Sequence, residues 1–224
     1  MTPIPPPNGI QAIVSDFIGV LTTPLTGVFT QFQEEVGIPP EALRVALDRA
    51  TERTGRNPLF ELECGRMTED AFAAGLQRAL SDAIGREVEF KAFTETLWAG
   101  LFPNEPMIAL MASLRAEGYK MALLTNNVRE WESRWRAMAP IDDIFELVID
   151  SAFVGMRKPE PAIYELTLAR LGVRADESLF VDDLEDNCAG ARAVGMHVVR
   201  YLDVDQAAAE IRAALDGGRG DASR

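Results

Sequence analysis

Four short apolar runs, at residues 10–15, 120–125, 179–181 and 197–201, lack any regular polar alternation. A weaker run lies at 147–149. Successive side chains of a strand point to opposite faces, so a strand wet on one side alternates apolar with polar residues. Runs without alternation suit strands covered on both faces, as in a parallel sheet. Helical patterns separate the later runs. Met107, Leu110, Met111 and Leu114 follow the i, i+3, i+4, i+7 rule, and Glu117-Gly118 stops that helix. Pro159 and Pro161 open another, which Gly172 ends. A third runs from Asp203 to Gly217-Gly218, after which the chain reads as a disordered end. Strands alternating with helices predict an α/β fold, a doubly wound, Rossmann-like parallel sheet.

Between the first and second runs the pattern changes. No strand is evident from Thr22 to about Gly100. Instead four apolar faces recur at helical spacing: Phe29, Phe32, Val36; Leu43, Ala46, Leu47, Ala50; Phe72, Leu76, Ala79, Leu80; and Phe90, Phe93, Leu97, Trp98. Thr68 precedes the third as an N-cap, with Glu69 and Asp70 suited to the helix dipole. The expectation is an inserted all-helical domain at 22–100, within a discontinuous core of 1–21 and 101–224.

The charge balance narrows the partners. A net charge of −13 repels nucleic acid and anionic membranes, so neither is expected. No stretch reaches the ~20 apolar residues of a spanning helix, and the Pro-rich start does not read as a signal peptide. Cys64 and Cys188 have no metal or redox spacing and are read as packed thiols; the expected compartment is the cytoplasm.

In open α/β sheets ligands bind beyond the carboxyl ends of the strands. Asp16 ends the first run, Thr125 the second, and Asp182 and Asp183 a later one, while Lys158 follows the weak run. The segments Asp16-Phe-Ile-Gly-Val-Leu21, Leu123-Leu-Thr-Asn-Asn127, Gly155-Met-Arg-Lys-Pro159 and Phe180-Val-Asp-Asp183 with Asn187 together resemble the four motifs of the haloacid dehalogenase superfamily. They look most like its epoxide-hydrolase-type phosphatase branch, over roughly residues 10–202. The resemblance makes the helical insert a cap that covers the site and selects the substrate. It implies a Mg²⁺-dependent phosphatase of a small phosphorylated metabolite.

In that scheme Asp16 is the nucleophile that forms an aspartyl-phosphate. Thr125, the Asn126 backbone N–H and Lys158 bind the phosphoryl group. Asp16, Asp183 and the Ile18 backbone carbonyl hold Mg²⁺, whose preference is for a few carboxylates, water and substrate oxygens. Asp182 stands behind them, and Asn187, at i+4 from Asp183, orients that carboxylate or a metal-bound water. Gly19 permits the tight turn. The chain departs from the family at Ile18, which stands where the phosphatases usually carry a second Asp as general acid; a hydrocarbon has no proton to give. Two other readings stay open: a hydrolytic dehalogenase using Asp16 against carbon, and a non-catalytic binding or regulatory protein on the same fold. Expected partners are the small substrate and, at most, a second copy in a homodimer. His197, the one histidine, is read as a core or edge residue, Trp131 and Trp135 as a packed stripe, and Arg53, Arg56 and Arg66 as solvated surface.

Overall fold

The computed structural model describes residues 9–39, 41–88 and 91–217. Phe90, the Pro-rich start and the tail from Gly218 lie outside the described residues, as do the side chains of Phe29, Phe32, Val36 and Phe93.

Five parallel strands form one sheet: β1 (Ala12–Ser15), β2 (Lys120–Thr125), β3 (Leu147–Asp150), β4 (Ser178–Asp182) and β5 (His197–Arg200), in the order β3-β2-β1-β4-β5. Their side chains feed two cores, which explains the missing alternation. Ile13, Met121, Leu123, Leu179 and Val181 enter one, with Met107, Met111 and Leu114 of α6 (Glu105–Ala116) and Ile211 and Leu215 of α12 (Val204–Asp216). Val14, Ala122, Leu124 and Phe180 enter the other, with Ile163, Tyr164 and Leu168 of α10 (Pro161–Leu171) and Ala191 of α11 (Glu185–Ala193). The three central strands, β2, β1 and β4, thus bury both faces. His197 starts the edge strand β5 and is exposed.

Between β1 and α6 the chain forms α1 (Leu25–Val36), α2 (Ala42–Thr54), α3 (Pro58–Glu63), α4 (Glu69–Ile84) and α5 (Lys91–Gly100). This helical cap has an apolar cluster of its own, in which Ala42, Ala46, Leu62, Leu76 and Leu80 are joined by Val128 from the loop after β2. Thr68 caps α4 through a bond from Ala71 N. The extra helix α3 was not foreseen. Its signal is Asn57-Pro58: the Asn57 side chain accepts from Leu59 N at 2.9 Å, and Pro58 takes the first turn, where no N–H is needed. Short helices α7 (Glu132–Arg136), α8 (Ile141–Ile144) and α9 (Ser151–Val154) complete the connections. Trp135, on α7, is fully buried against Phe17 with ring centroids 5.3 Å apart, whereas Trp131 ends the preceding 3₁₀ turn. No described helix is long and apolar enough to cross a membrane.

Candidate active site

The strand order reverses at β1. The chain builds β2 and β3 on one side of it, then β4 and β5 on the other, and the crevice at such a switch collects ligands. Ser15 is level with Val181, so Asp16 leaves β1 beside Asp182 at the end of β4. Buried Phe17 anchors the next residue, and Leu21 N bonds back to Phe17 O at 2.8 Å to close the turn. Gly19 has a φ of +93°, and a Cβ there would lie 2.5 Å from the Asp183 carboxylate. Only glycine lets this turn approach Asp183 so closely.

Lys158 is 1% exposed and bridges two acids. Its Nζ is 2.7 Å from Asp16 Oδ1 and 2.7 Å from Asp182 Oδ2. Asn126 holds its backbone from both directions: Nδ2 donates to Lys158 O at 3.0 Å, and Oδ1 accepts from Lys158 N at 2.9 Å. That clamp by the Asn126 side chain was not expected from the sequence. Asp182, fully buried, has both oxygens occupied. Oδ1 accepts from Leu184 N at 2.8 Å, Oδ2 takes Lys158, and Asn187 Nδ2 lies 3.0 and 3.1 Å from the two. The Asn187 amide therefore bonds Asp182, and no hydrogen bond joins it to Asp183 among the described residues. Asn187 belongs to α11, and its side chain turns back to the strand end rather than to the acid four residues before it.

Asp16, Asp182 and Asp183 each offer an oxygen within 4.8 Å of the others. Three carboxylates against one ammonium leave a formal excess of two negative charges in a largely buried place. Burial drives the Asp16 carboxyl well above its ordinary range; Lys158 pulls it back, and Asp182 and Asp183 push it further up. Burial, then Asp182, raise Asp183 to about 6. Burial opposes the charge on Lys158, but Asp16 and Asp182 outweigh it and hold the ammonium above the usual lysine value. This is a donor set suited to a small hard cation. Because Asp182 is used up by four contacts, Asp16 and Asp183 are the acids left for it.

Asp16, Ile18, Asn126, Lys158, Asp183 and Asn187 line a cavity of about 160 Å³. Thr125 sits fully buried at the end of β2 and is not among the lining residues; its hydroxyl receives Asn127 Nδ2 at 3.5 Å. Four further lining residues were missed by the sequence: Leu25, Glu63, Arg157 and Leu184. Glu63, from α3, pairs with Arg157 at 2.6 Å across the cap and core. Burial raises the Glu63 carboxyl, against the pull of Arg157. Arg157 could have been suspected, since it adjoins Lys158; Glu63 has no local signal. Arg53, Arg56 and Arg66 are exposed, the last two paired with Glu61. Both cysteines are buried free thiols.

Comparisons with known proteins identify the family and the fold. Residues 10–195 match the family model of haloacid dehalogenase-like hydrolases. The chain is similar to bifunctional epoxide hydrolase 2 of Sus scrofa, 28% identical over 220 residues, covering 90% of this chain and 38% of that one. It is similar to glyceraldehyde 3-phosphate phosphatase of Pyrococcus abyssi, 41% identical over 95 residues, covering 41% of this chain and 39% of that one. The chain thus spans about two fifths of the length of these two relatives. In fold it resembles a haloacid dehalogenase-family enzyme of Bacteroides thetaiotaomicron in complex with magnesium and inorganic phosphate, with a TM-score of 0.61, 22% identity, and coverage of 85% of this chain and 93% of that one.

Proposed function

This chain belongs to the haloacid dehalogenase-like hydrolases, and from that premise we propose that it is a Mg²⁺-dependent phosphatase of a small phosphorylated metabolite. The observation that carries the reading is the Lys158 bridge: a buried ammonium held 2.7 Å from Asp16 in the wall of a pocket that Asp183 also lines. A phosphatase relative and a fold neighbour with bound magnesium and phosphate support it.

In this reading Asp16 attacks phosphorus in line. A phosphorus–oxygen bond to Asp16 forms as the bond to the alcohol oxygen breaks, and water then hydrolyses the aspartyl-phosphate to inorganic phosphate. Lys158 offsets charge on the phosphoryl oxygens, and the Asn126 clamp keeps it in place. The Asn126 N–H adds a donor; Thr125 acts from behind the pocket wall. Asp16, Asp183 and the Ile18 carbonyl would hold Mg²⁺, which when bound offsets negative charge on the transferring group. Asp182 and Asn187 position Lys158. Ile18 leaves the alcohol oxygen without a protein acid at that point, so the reaction favours leaving groups that need little protonation. In this reading the described residues of 22–100 act as the cap over the rest of the described chain.

The test is hydrolysis of a chromogenic aryl phosphate. Turnover is expected with Mg²⁺, and is expected to vanish in Asp16→Asn and on chelation. Full activity in chelator would overturn the metal dependence; no turnover of the aryl phosphate, with halide released from a 2-haloacid, would favour attack on carbon, the dehalogenase chemistry.

A further inference from the structure

The phosphoryl pocket shares Ile18, Leu25, Glu63 and Asn126 with a second cavity of about 110 Å³ between cap and core. Its walls are carbon: Leu43 and Leu47 of α2, Leu59 of α3, Leu76 of α4 and Leu97 of α5 on the cap side, Val128 on the core side. The polar side chains around it are largely committed elsewhere. Glu63 is paired with Arg157, and Glu69 accepts from Thr94 Oγ1 at 3.1 Å. Asn126 holds Lys158, and Asn127 Oδ1 accepts from Val128 N at 2.9 Å. The Trp131 indole N–H has no partner among the described residues.

We propose that this cavity receives the alcohol part of the substrate, and that the substrate is a phosphate monoester of a short aliphatic alcohol. The proposal rests on the phosphatase reading and names its substrate class. A sugar or polyol placed here would bury hydroxyls with almost nothing to bond them, each at a cost. An apolar cavity of about 150 Å³ takes benzene, so this one takes about four or five carbons. Ile18 gains a positive role. An Asp there would set a charge at the junction of the two cavities, whereas isoleucine continues the carbon wall down to the phosphoryl pocket.

The test uses straight-chain alkylphosphonates from methyl to octyl as unreactive competitors. Binding is read in the Mg²⁺-loaded protein both by inhibition of aryl phosphate hydrolysis and by calorimetry. Affinity is expected to rise about threefold per methylene as far as butyl or pentyl, then level or fall. Glycerol 3-phosphate and sugar phosphates should bind no better than methylphosphonate. In Leu47→Gln, at a half-buried cap position, the butyl-to-methyl affinity ratio should fall about tenfold; the wild-type series decides by itself if that variant does not fold. A flat series with working aryl phosphate hydrolysis overturns this proposal and leaves the phosphatase reading standing. A rising series with no turnover of any ester keeps the apolar subsite and overturns the phosphatase.

Discussion

Asn187 Nδ2 lies within 3.1 Å of both carboxylate oxygens of Asp182, the acid that shares Lys158 with Asp16. Asn187 thereby acts on the lysine through a carboxylate. In Asn187→Leu, Asp182 loses a buried hydrogen-bond donor, and stability in urea should fall by about 1–2 kcal/mol. Turnover should drop while the Mg²⁺ concentration for half-maximal activity stays within about twofold. A large rise in that concentration would return Asn187 to Asp183.

Position 18 decides what the enzyme can cleave. Wild-type protein should prefer aryl over alkyl phosphates. Ile18→Asp should raise kcat on alkyl phosphates by roughly tenfold relative to aryl ones, below the full general-acid range because the surroundings were not built for a carboxylate. The same variant should weaken the gain per methylene among alkylphosphonates. Equal wild-type rates on both ester types would mean that another group or a held water already supplies the proton.

Gly19→Ala combines two faults, a side chain at φ +93° and a Cβ pressed onto Asp183. A loss of about 1–3 kcal/mol in unfolding free energy is expected. The affinity for Mg²⁺, followed by thermal shift against metal concentration, should fall by tenfold or more. Unchanged metal affinity would show that Asp183 can move aside without consequence.

Much of the sheet was legible because burial on both faces leaves a mark on the central strands, and the boundaries of β2 follow its apolar run. The strand-end acids were legible for the same reason, each sitting where a run stops; Lys158, between α9 and α10, was legible through the Gly155-Met-Arg-Lys-Pro159 motif. The bond from Asn187 to Asp182 was not legible, because helical spacing tells which residues share a face, not which neighbour a short amide turns toward. Glu63 and Arg157 meet across 94 positions of sequence, and the apolar cavity is made by helices that no local pattern docks onto the core. The helix carrying Glu63 is six residues long, too short for periodicity to reveal.

Asp150 offers a test by pH alone. It ends β3 at 5% exposure; Oδ1 accepts from Ala152 N, while Oδ2 has no partner among the described residues. Burial raises its carboxyl to about 6. The folded state therefore binds this proton more tightly than the unfolded chain does. The cost of the charge is full above about pH 6, fades as pH falls, and is gone below about pH 4. Asp150→Asn keeps the cap and removes the charge. It should stabilise the protein by about 2 kcal/mol at pH 7.5 and by almost nothing at pH 4, read from urea curves at both. An equal effect at the two pH values would exclude ionisation as the cause.

The placement of β1 sets an order on the birth of this molecule. It is made before the other strands, yet it lies in the middle of the sheet, with Ala12 opposite Lys120 on one side and Ser178 on the other. While the ribosome works through the next hundred residues, the cap helices can form from local contacts, but the central strand has no neighbour to join. Its second partner arrives only with β4, which brings Asp182 and Asp183. Pairings this distant in sequence close slowly and leave apolar edges open meanwhile. The acidic cluster therefore cannot assemble in a nascent chain that has not yet been extended past Asp183.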